Sequence, residues 1–392
     1  MSEYTKKNVL FCLHYSSMNN GAVRSLVDVV EYLIINNEIN AYIVYLDKKG
    51  DAINYLEELG AKAIHLPFYR NDFKIDDSKK NRILGCTKYI IKRILAPVFF
   101  YKAYMFARKE KIDVVYSNTV VIDYGIKLSK VLKVPHIWHV REFGKEDHNL
   151  SFFFGEKKLY QLMNKSNTVV YISNSIYKKY SKEIQVPKQY VVYNDISDKF
   201  INRKKEFNLS KICPLNVLVI GTIQEGKRQL DVIKAVEQLN KEQIKVILHI
   251  AGAKLGNYYQ SLLNYINSND LNDSVVFDGF IQDVNKLRNS MDVGVVSSKM
   301  EAFGRVTIEG MLSELAMIGA NTAGTAELIN SGENGLLYEF DDIDCLTNCL
   351  NRLYEDRNYM VTIAQNGFND ALQKYTNHNA AKKIGDIILN IK

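Results

Sequence analysis

The chain has 392 residues, 47% of them hydrophobic and 24% charged, which excludes a disordered chain and leaves room for two domains of ordinary size. Its five cysteines show neither C-x-x-C pairing nor a partnered histidine spacing, which argues against a disulfide framework or a zinc site and fits a reduced, cytosolic compartment. The net charge of +7 favours anionic partners, and without any nucleic-acid motif these are expected to be nucleotide phosphates or an anionic lipid surface, with no nucleic acid.

Met1–Lys7 leads straight into a strand-like segment without a signal-peptide pattern, and no apolar run approaches the ~20 residues that span a bilayer. Asn8–His14 reads as a buried first strand, followed by a loop and a helical pattern through Val27, Val30, Leu33 and Ile34. That loop stands where a Rossmann-like unit has its glycine-rich turn. Gly21 is its only glycine, and Asn20, which tolerates φ > 0, is expected to keep the turn tight. Strand, helix and strand follow at Ala41–Leu46, Asp51–Leu59 and Ala63–Leu66, an alternation that argues for a parallel sheet. Ser78–Lys111 mixes Lys and Arg with Ile, Phe and Tyr. Two helices interrupted near Pro97 are expected there, either as a packed pair or as a basic, aromatic surface resting on a membrane. Asp113–Ser117, Pro135–Val140, Thr168–Ser173 and Tyr190–Asn194 read as further strands, and the charged stretch Asp198–Lys211 as a linker.

Pro214–Gly221 opens a second sheet, continued by Val246–Ala251, Val275–Gly279 and Met291–Ser297. The stretch Ser297–Glu309 reads S-S-K-M-E-A-F-G-R-V-T-I-E. With a helix starting near Phe303–Gly304, Glu301 sits on the loop before it and Glu309 about one and a half turns in, facing the loop. Such a strand–loop–helix unit aims backbone N–H groups and a positive helix end at one point, which suits a phosphate. Carboxylates beside it accept hydrogen bonds from sugar or ribose hydroxyls. Asp341–Asp342–Ile343–Asp344 has a D-x-D look, but its place before a helix points to N-capping.

The string from Glu301 through F-G to Glu309 and G-M, with G-T-A-E-L-I at Gly324–Ile329, resembles glycosyltransferase family 4 (group 1), nucleotide-sugar enzymes with the GT-B fold. The likeness is strong from Lys227 to Gly335 and loose before Pro135. It implies an α/β protein of two Rossmann-like domains whose parallel sheets face across a cleft. These are an acceptor domain at 1–197, a linker at 198–213, a nucleotide-sugar domain at 214–375 and a final helix at 376–392 crossing back to the first domain. Lys227 falls on the family's diphosphate-binding Lys, while Thr222 replaces its usual Arg, so that Arg228 or Arg305 is left to supply the second cation. Glu301, Ala302, Phe303, Gly304, Arg305 and Glu309 are implied to bind the donor, with Gly279 near the base and Gly21 near the phosphate. Around the strand ending at Val140, Arg141 takes the family's His position and Glu142 its acid position; with His139 and Asn20 they are implied to meet the reacting sugar and the acceptor. Glu301, Lys227, Arg141 and Glu142 form the catalytic set, with no metal and no cofactor beyond the nucleotide diphosphate sugar. The implied reaction is retaining transfer of a hexosyl unit to a hydroxyl of a growing surface glycan or a lipid-linked acceptor. A bacterial enzyme of capsule, exopolysaccharide or lipopolysaccharide assembly fits the Lys/Asn/Ile-rich composition, cytoplasmic or peripheral on the inner face of the cell membrane. A GT-B sugar-nucleotide epimerase and a non-catalytic glycosyltransferase-like partner are the alternatives.

Overall fold

Val9 to Leu13 is wholly apolar and wholly buried, the mark of a strand covered on both faces. In the computed structural model, which describes residues 6–74, 79–203, 206–207, 209–254 and 256–392, this run forms β1 (Lys7–Leu13). It is followed by β2 (Ile39–Tyr45), β3 (Lys62–His65), β4 (Asp72–Lys74), β5 (Val114–Ser117), β6 (His136–Val140), β7 (Leu150–Phe152), β8 (Thr168–Tyr171) and β9 (Lys188–Val191). Seven of these make one parallel sheet in the order β3-β2-β1-β5-β6-β8-β9, while β4 and β7 pair antiparallel beside it. Helix Gly21–Ile35 covers this sheet with Val23, Leu26, Val30 and Leu33.

The chain divides into two units, Met1–Asp195 with Asn377–Lys392, and Ile196–Thr376. The last helix, Asn379–Leu389, belongs to the first unit: Ala381, Ile384 and Ile388 share its core with Val30 and Leu33. Asp195 accepts the N–H groups of Ala380 and Ala381 at 2.8 and 3.1 Å, and Lys7 Nζ donates to the carbonyls of Ile388 and Ile391 at 3.1 and 3.0 Å. Both helix ends are therefore capped by side chains of this unit.

The second unit holds β10 (Leu215–Ile220), β11 (Val246–Ala251), β12 (Val275–Gly279), β13 (Val293–Val296), β14 (Ala316–Ala320) and β15 (Leu336–Tyr338) in one parallel sheet ordered β12-β11-β10-β13-β14-β15. The α/β class and the two Rossmann-like parallel sheets are those the resemblance implies.

Three local expectations are corrected. The segment around Pro97 is one helix, Lys79–Lys109, because its inner face packs on both sides of the proline: Tyr89 meets the Tyr69 and Phe153 rings at 5.5 and 4.0 Å before it, and Ala103 and Ala107 are buried after it. Ser78 and the side chains of Lys80 and Arg82 lie outside the described residues. Asn20 has φ −87° and caps helix Gly21–Ile35 by accepting from Val23 N–H at 3.1 Å, so no left-handed turn forms. The described residues of 198–213 join the second unit: Asn202 N–H donates to the Leu312 carbonyl at 2.8 Å, and Tyr354 Oη to that of Lys211 at 2.9 Å.

His136 and His139 are buried in β6. The ring of His136 lies 2.9 Å from the hydroxyls of both Ser117 and Ser166, and burial pushes its pKa down to about 3. Burial and the nearby Arg141 guanidinium push His139 well below the usual imidazole range. The unfolded chain protonates both near pH ~6.5 and the folded chain does not, so their contribution is whole above that pH. It is lost on acidification, by about 1.4 kcal/mol per pH unit for each histidine. Urea denaturation across pH should show stability falling steeply below pH ~6.5, with a shallower fall in His136→Gln. Equal slopes would contradict this.

Candidate functional site

In the second sheet the strand order reverses between β10 and β13, and the crevice beyond the carboxyl ends of two such strands is where open α/β sheets bind ligands. The loop after β10 runs from Gly221 to Arg228. The loop after β13 runs from Ser297 to Gly304. Ser297 Oγ donates to the Lys227 carbonyl at 2.8 Å, and Lys299 N–H to that of Gly226 at 3.0 Å. The helix after β14, Ala323–Leu328, closes on the second loop: Gly324 N–H donates to the Glu301 carbonyl at 2.9 Å. A Cβ on Gly324 would stand 2.7 Å from that oxygen, so the approach needs glycine. The loops thus bring Lys227 and Glu301 together across 74 residues, and Lys227 Nζ donates to Glu301 Oε1. Both side chains are part-exposed, at 26% and 18%, and remain open to a ligand.

Helix Arg305–Met311 starts after Gly304, whose φ of +95° is left-handed. Glu309 is buried in this helix and meets two arginines. Its Oε2 accepts from Arg288 Nη2 at 2.7 Å, and its Oε1 lies 3.4 Å from Arg305 Nη2, one turn back. Arg288 is fully buried, and its other arm donates to Asn285 Oδ1 at 3.1 Å. Nothing in the motif pointed to Arg288. It ends the short helix Val284–Arg288 before β13, and only the folded sheet sets it behind Glu309.

Of the two candidates for the second cation, Arg228 is turned to carboxylates, donating to Asp231 at 2.7 Å and to Asp341. Arg305 stands beside Glu309, at the head of the loop that carries Glu301, Ala302 and Phe303. The Phe303 ring is buried against Tyr375 at 6.1 Å, so from this residue only main-chain groups are left to a ligand. Gly279 ends the edge strand β12 with φ +74°, and its carbonyl accepts from Gly252 N–H at 2.7 Å. Asp342 caps helix Ile343–Glu355 by accepting from Cys345 N–H at 2.8 Å. No group of His, Cys, Asp and Glu among the described residues is arranged to hold a metal ion.

In the first unit the order reverses between β1 and β5. Gly21 opens the helix after β1. His139, Arg141 and Glu142 lie at the carboxyl end of β6 and are all buried. His139 Nδ1 pairs with the Tyr116 hydroxyl at 2.5 Å. Arg141 donates to Asn118 Oδ1 at 2.6 Å and Asn194 Oδ1 at 2.7 Å. Glu142 accepts from Val120 N–H at 2.9 Å and from the Thr119 hydroxyl, holding the loop after β5.

Residues 201–370 match the family model described as glycosyl transferases group 1. The chain is 28% identical to EpsD of Bacillus subtilis over 41% of its own length and 42% of EpsD. It is 25% identical to the capsular polysaccharide biosynthesis glycosyltransferase CapM of Staphylococcus aureus, over 42% of this chain and 44% of CapM. The matches span less than half the length of these relatives. Anabaena Alr3699/HepE, solved in complex with UDP, shares the fold with a TM-score of 0.77, at 20% identity over 97% of this chain and 99% of that one.

Proposed function

We propose, from the match of residues 201–370 to the model of group 1 glycosyl transferases, that this chain is such an enzyme and transfers a hexosyl unit from a nucleotide diphosphate sugar to a hydroxyl of a surface glycan or lipid-linked acceptor. The observation that carries the reading is the meeting of Lys227, Glu301, Arg305 and Glu309 at the switch point of the second sheet. Negative charge grows on the diphosphate as the glycosidic bond breaks. Lys227, Arg305 and the main-chain amides of Ala302–Gly304 stabilise it where it develops, so the reaction needs no metal. Glu301 takes sugar hydroxyls and Glu309 the ribose hydroxyls. No carboxylate is assigned as a nucleophile: the leaving phosphate helps deprotonate the acceptor on the same face, and configuration is retained. Arg141, with His139 and Asn20, forms the acceptor side of the first unit, and Glu142 holds the loop that shapes it. Polysaccharide assembly is the setting supported by CapM, and a lipid-linked acceptor would set the enzyme at the cytoplasmic face of the membrane.

The test is a thermal-shift screen against UDP-, GDP-, dTDP- and CMP-sugars, followed by turnover in EDTA. One donor class should raise the melting temperature, since a ligand at a hundredfold its Kd stabilises the fold by about 2.7 kcal/mol. UDP is the first to try, given HepE. Transfer should survive chelation; its loss in EDTA and return with a divalent ion would overturn the metal-free step. Release of free sugar without an acceptor would point instead to an epimerase.

A further inference from the structure

We propose that a cavity at the outer edge of the first sheet, beside the last helix, binds a small hydroxylated carboxylate of the kind an acidic sugar presents. The cavity has a volume of about 420 Å³, a size typical of small-molecule sites. It lies between the edge strand β9, its neighbour β8 and helix Asn379–Leu389. Thr168 pairs with Lys188 and Val170 with Tyr190 across the two strands, so these four side chains share one face of the sheet. Farther along that face, Val170 and Val192 share the buried core with Ile384, Ile388 and Ile391. Thr168 and Lys188, at the amino ends of their strands, line the cavity instead. His139, Arg141 and Glu142 lie at the opposite, carboxyl end of the sheet, so this is a separate place.

The lining groups select the occupant. Thr168 is 1% exposed, and its hydroxyl has no hydrogen-bond partner among the described residues. A buried hydroxyl left unpaired is costly, and a turn about χ1 presents it to an oxygen of a ligand in the cavity. Lys188 and Lys383 line the cavity from exposed positions on strand and helix, and no ion pair among the described residues engages either. Two free ammonium groups suit a carboxylate. Asp386, also in the lining, stands near Glu38, so that side turns away an acid group and accepts hydroxyl donors. Asn390 gives its Nδ2 to the Asp386 carbonyl at 2.8 Å, which leaves its Oδ1 as a further acceptor. The exposed Tyr190 ring and Ile387 offer apolar surface to the carbons of a sugar ring. Inorganic phosphate would leave that surface bare, and a plain fatty acid would leave Asp386, Asn390 and Thr168 unpaired. A hydroxylated carboxylate meets all of these groups.

The test is calorimetric titration and ligand-observed NMR of glucuronate and galacturonate with the full chain, in the absence of nucleotide. One of them should bind with a dissociation constant of about 1 mM or tighter, which is within reach of a ligand this small. Glucose, which lacks the carboxylate, should bind about tenfold more weakly or worse. Lys188→Ala with Lys383→Ala should weaken uronate binding by about tenfold or more, the effect of losing charge-assisted hydrogen bonds. Thr168→Val keeps the side chain's shape and should weaken binding by about fivefold. It should not lower the melting temperature, because a methyl group replaces an unpaired hydroxyl. Lys227→Ala should bind the uronate as the wild type does, which separates this cavity from the sugar-transfer site and keeps the result independent of the donor screen. No saturable binding of either uronate, equal binding of glucose, binding unchanged in Lys188→Ala with Lys383→Ala, or binding lost in Lys227→Ala would each overturn the proposal.

Discussion

Lys227→Ala should lower sugar transfer by about a hundredfold to a thousandfold, the range seen when one charge-stabilising donor is removed from a transition state. Lys227 is held by its loop: the aliphatic stem lies 3.6 Å from where a Cβ on Gly221 would stand, and its carbonyl accepts from Ser297. Glu301 holds its ammonium while no ligand is bound. Because both side chains are partly exposed, their pair contributes little to folding, and the melting temperature should hardly move. Lys227→Arg should recover only part of the rate, since the planar guanidinium presents its donors in a different geometry. Glu301→Ala should hurt transfer more than binding of the nucleotide diphosphate. Equal losses in both would make Glu301 no more than a tether for Lys227.

Arg288→Leu should cost about 3–5 kcal/mol of stability, the range for removing one partner of a buried ion pair. Arg288 is fully buried, and the Glu309 side chain is 10% exposed. Without the guanidinium, Glu309 Oε2 loses its 2.7 Å partner in a place water barely reaches. Arg288→Leu combined with Glu309→Leu should regain part of that stability, because the buried carboxylate is gone, while Arg305 loses its 3.4 Å contact with Glu309. It should not regain nucleotide binding. A double variant as unstable as Arg288→Leu alone would mean that the arginine acts through packing, including its position 5.8 Å from the Phe200 ring.

Much of the fold was legible because it rests on short-range signals. Runs such as Val9–Leu13 and Val293–Val296 can only be buried strands, and helices between them force parallel pairing. The E-A-F-G string likewise marks a loop that opens a helix, and the left-handed Gly304 is the residue that allows the turn. What stayed hidden depends on partners distant in sequence. Arg288 has no local pattern and gains its place only when β13 brings the helix Arg305–Met311 behind it. Glu142 reads as a candidate acid, yet its carboxylate is engaged by Thr119 and Val120, 23 and 22 residues earlier. Pro97 looks like a break because its local cost is real, but packing of the inner face outweighs it. The pairing of β4 with β7 joins two three-residue segments 76 residues apart, from Lys74 to Leu150, too short to carry any period.

The most direct measurement is a calorimetric titration of UDP, GDP, dTDP and CMP into the wild type and Glu309→Gln. The wild type should bind one of them, and Glu309→Gln should bind it about tenfold or more weakly, because a charge-assisted hydrogen bond to a ribose hydroxyl contributes roughly 1.5–3 kcal/mol. Equal affinity in the two proteins, or no binding of any of the four by the wild type, would contradict a nucleotide site at the β10–β13 switch point.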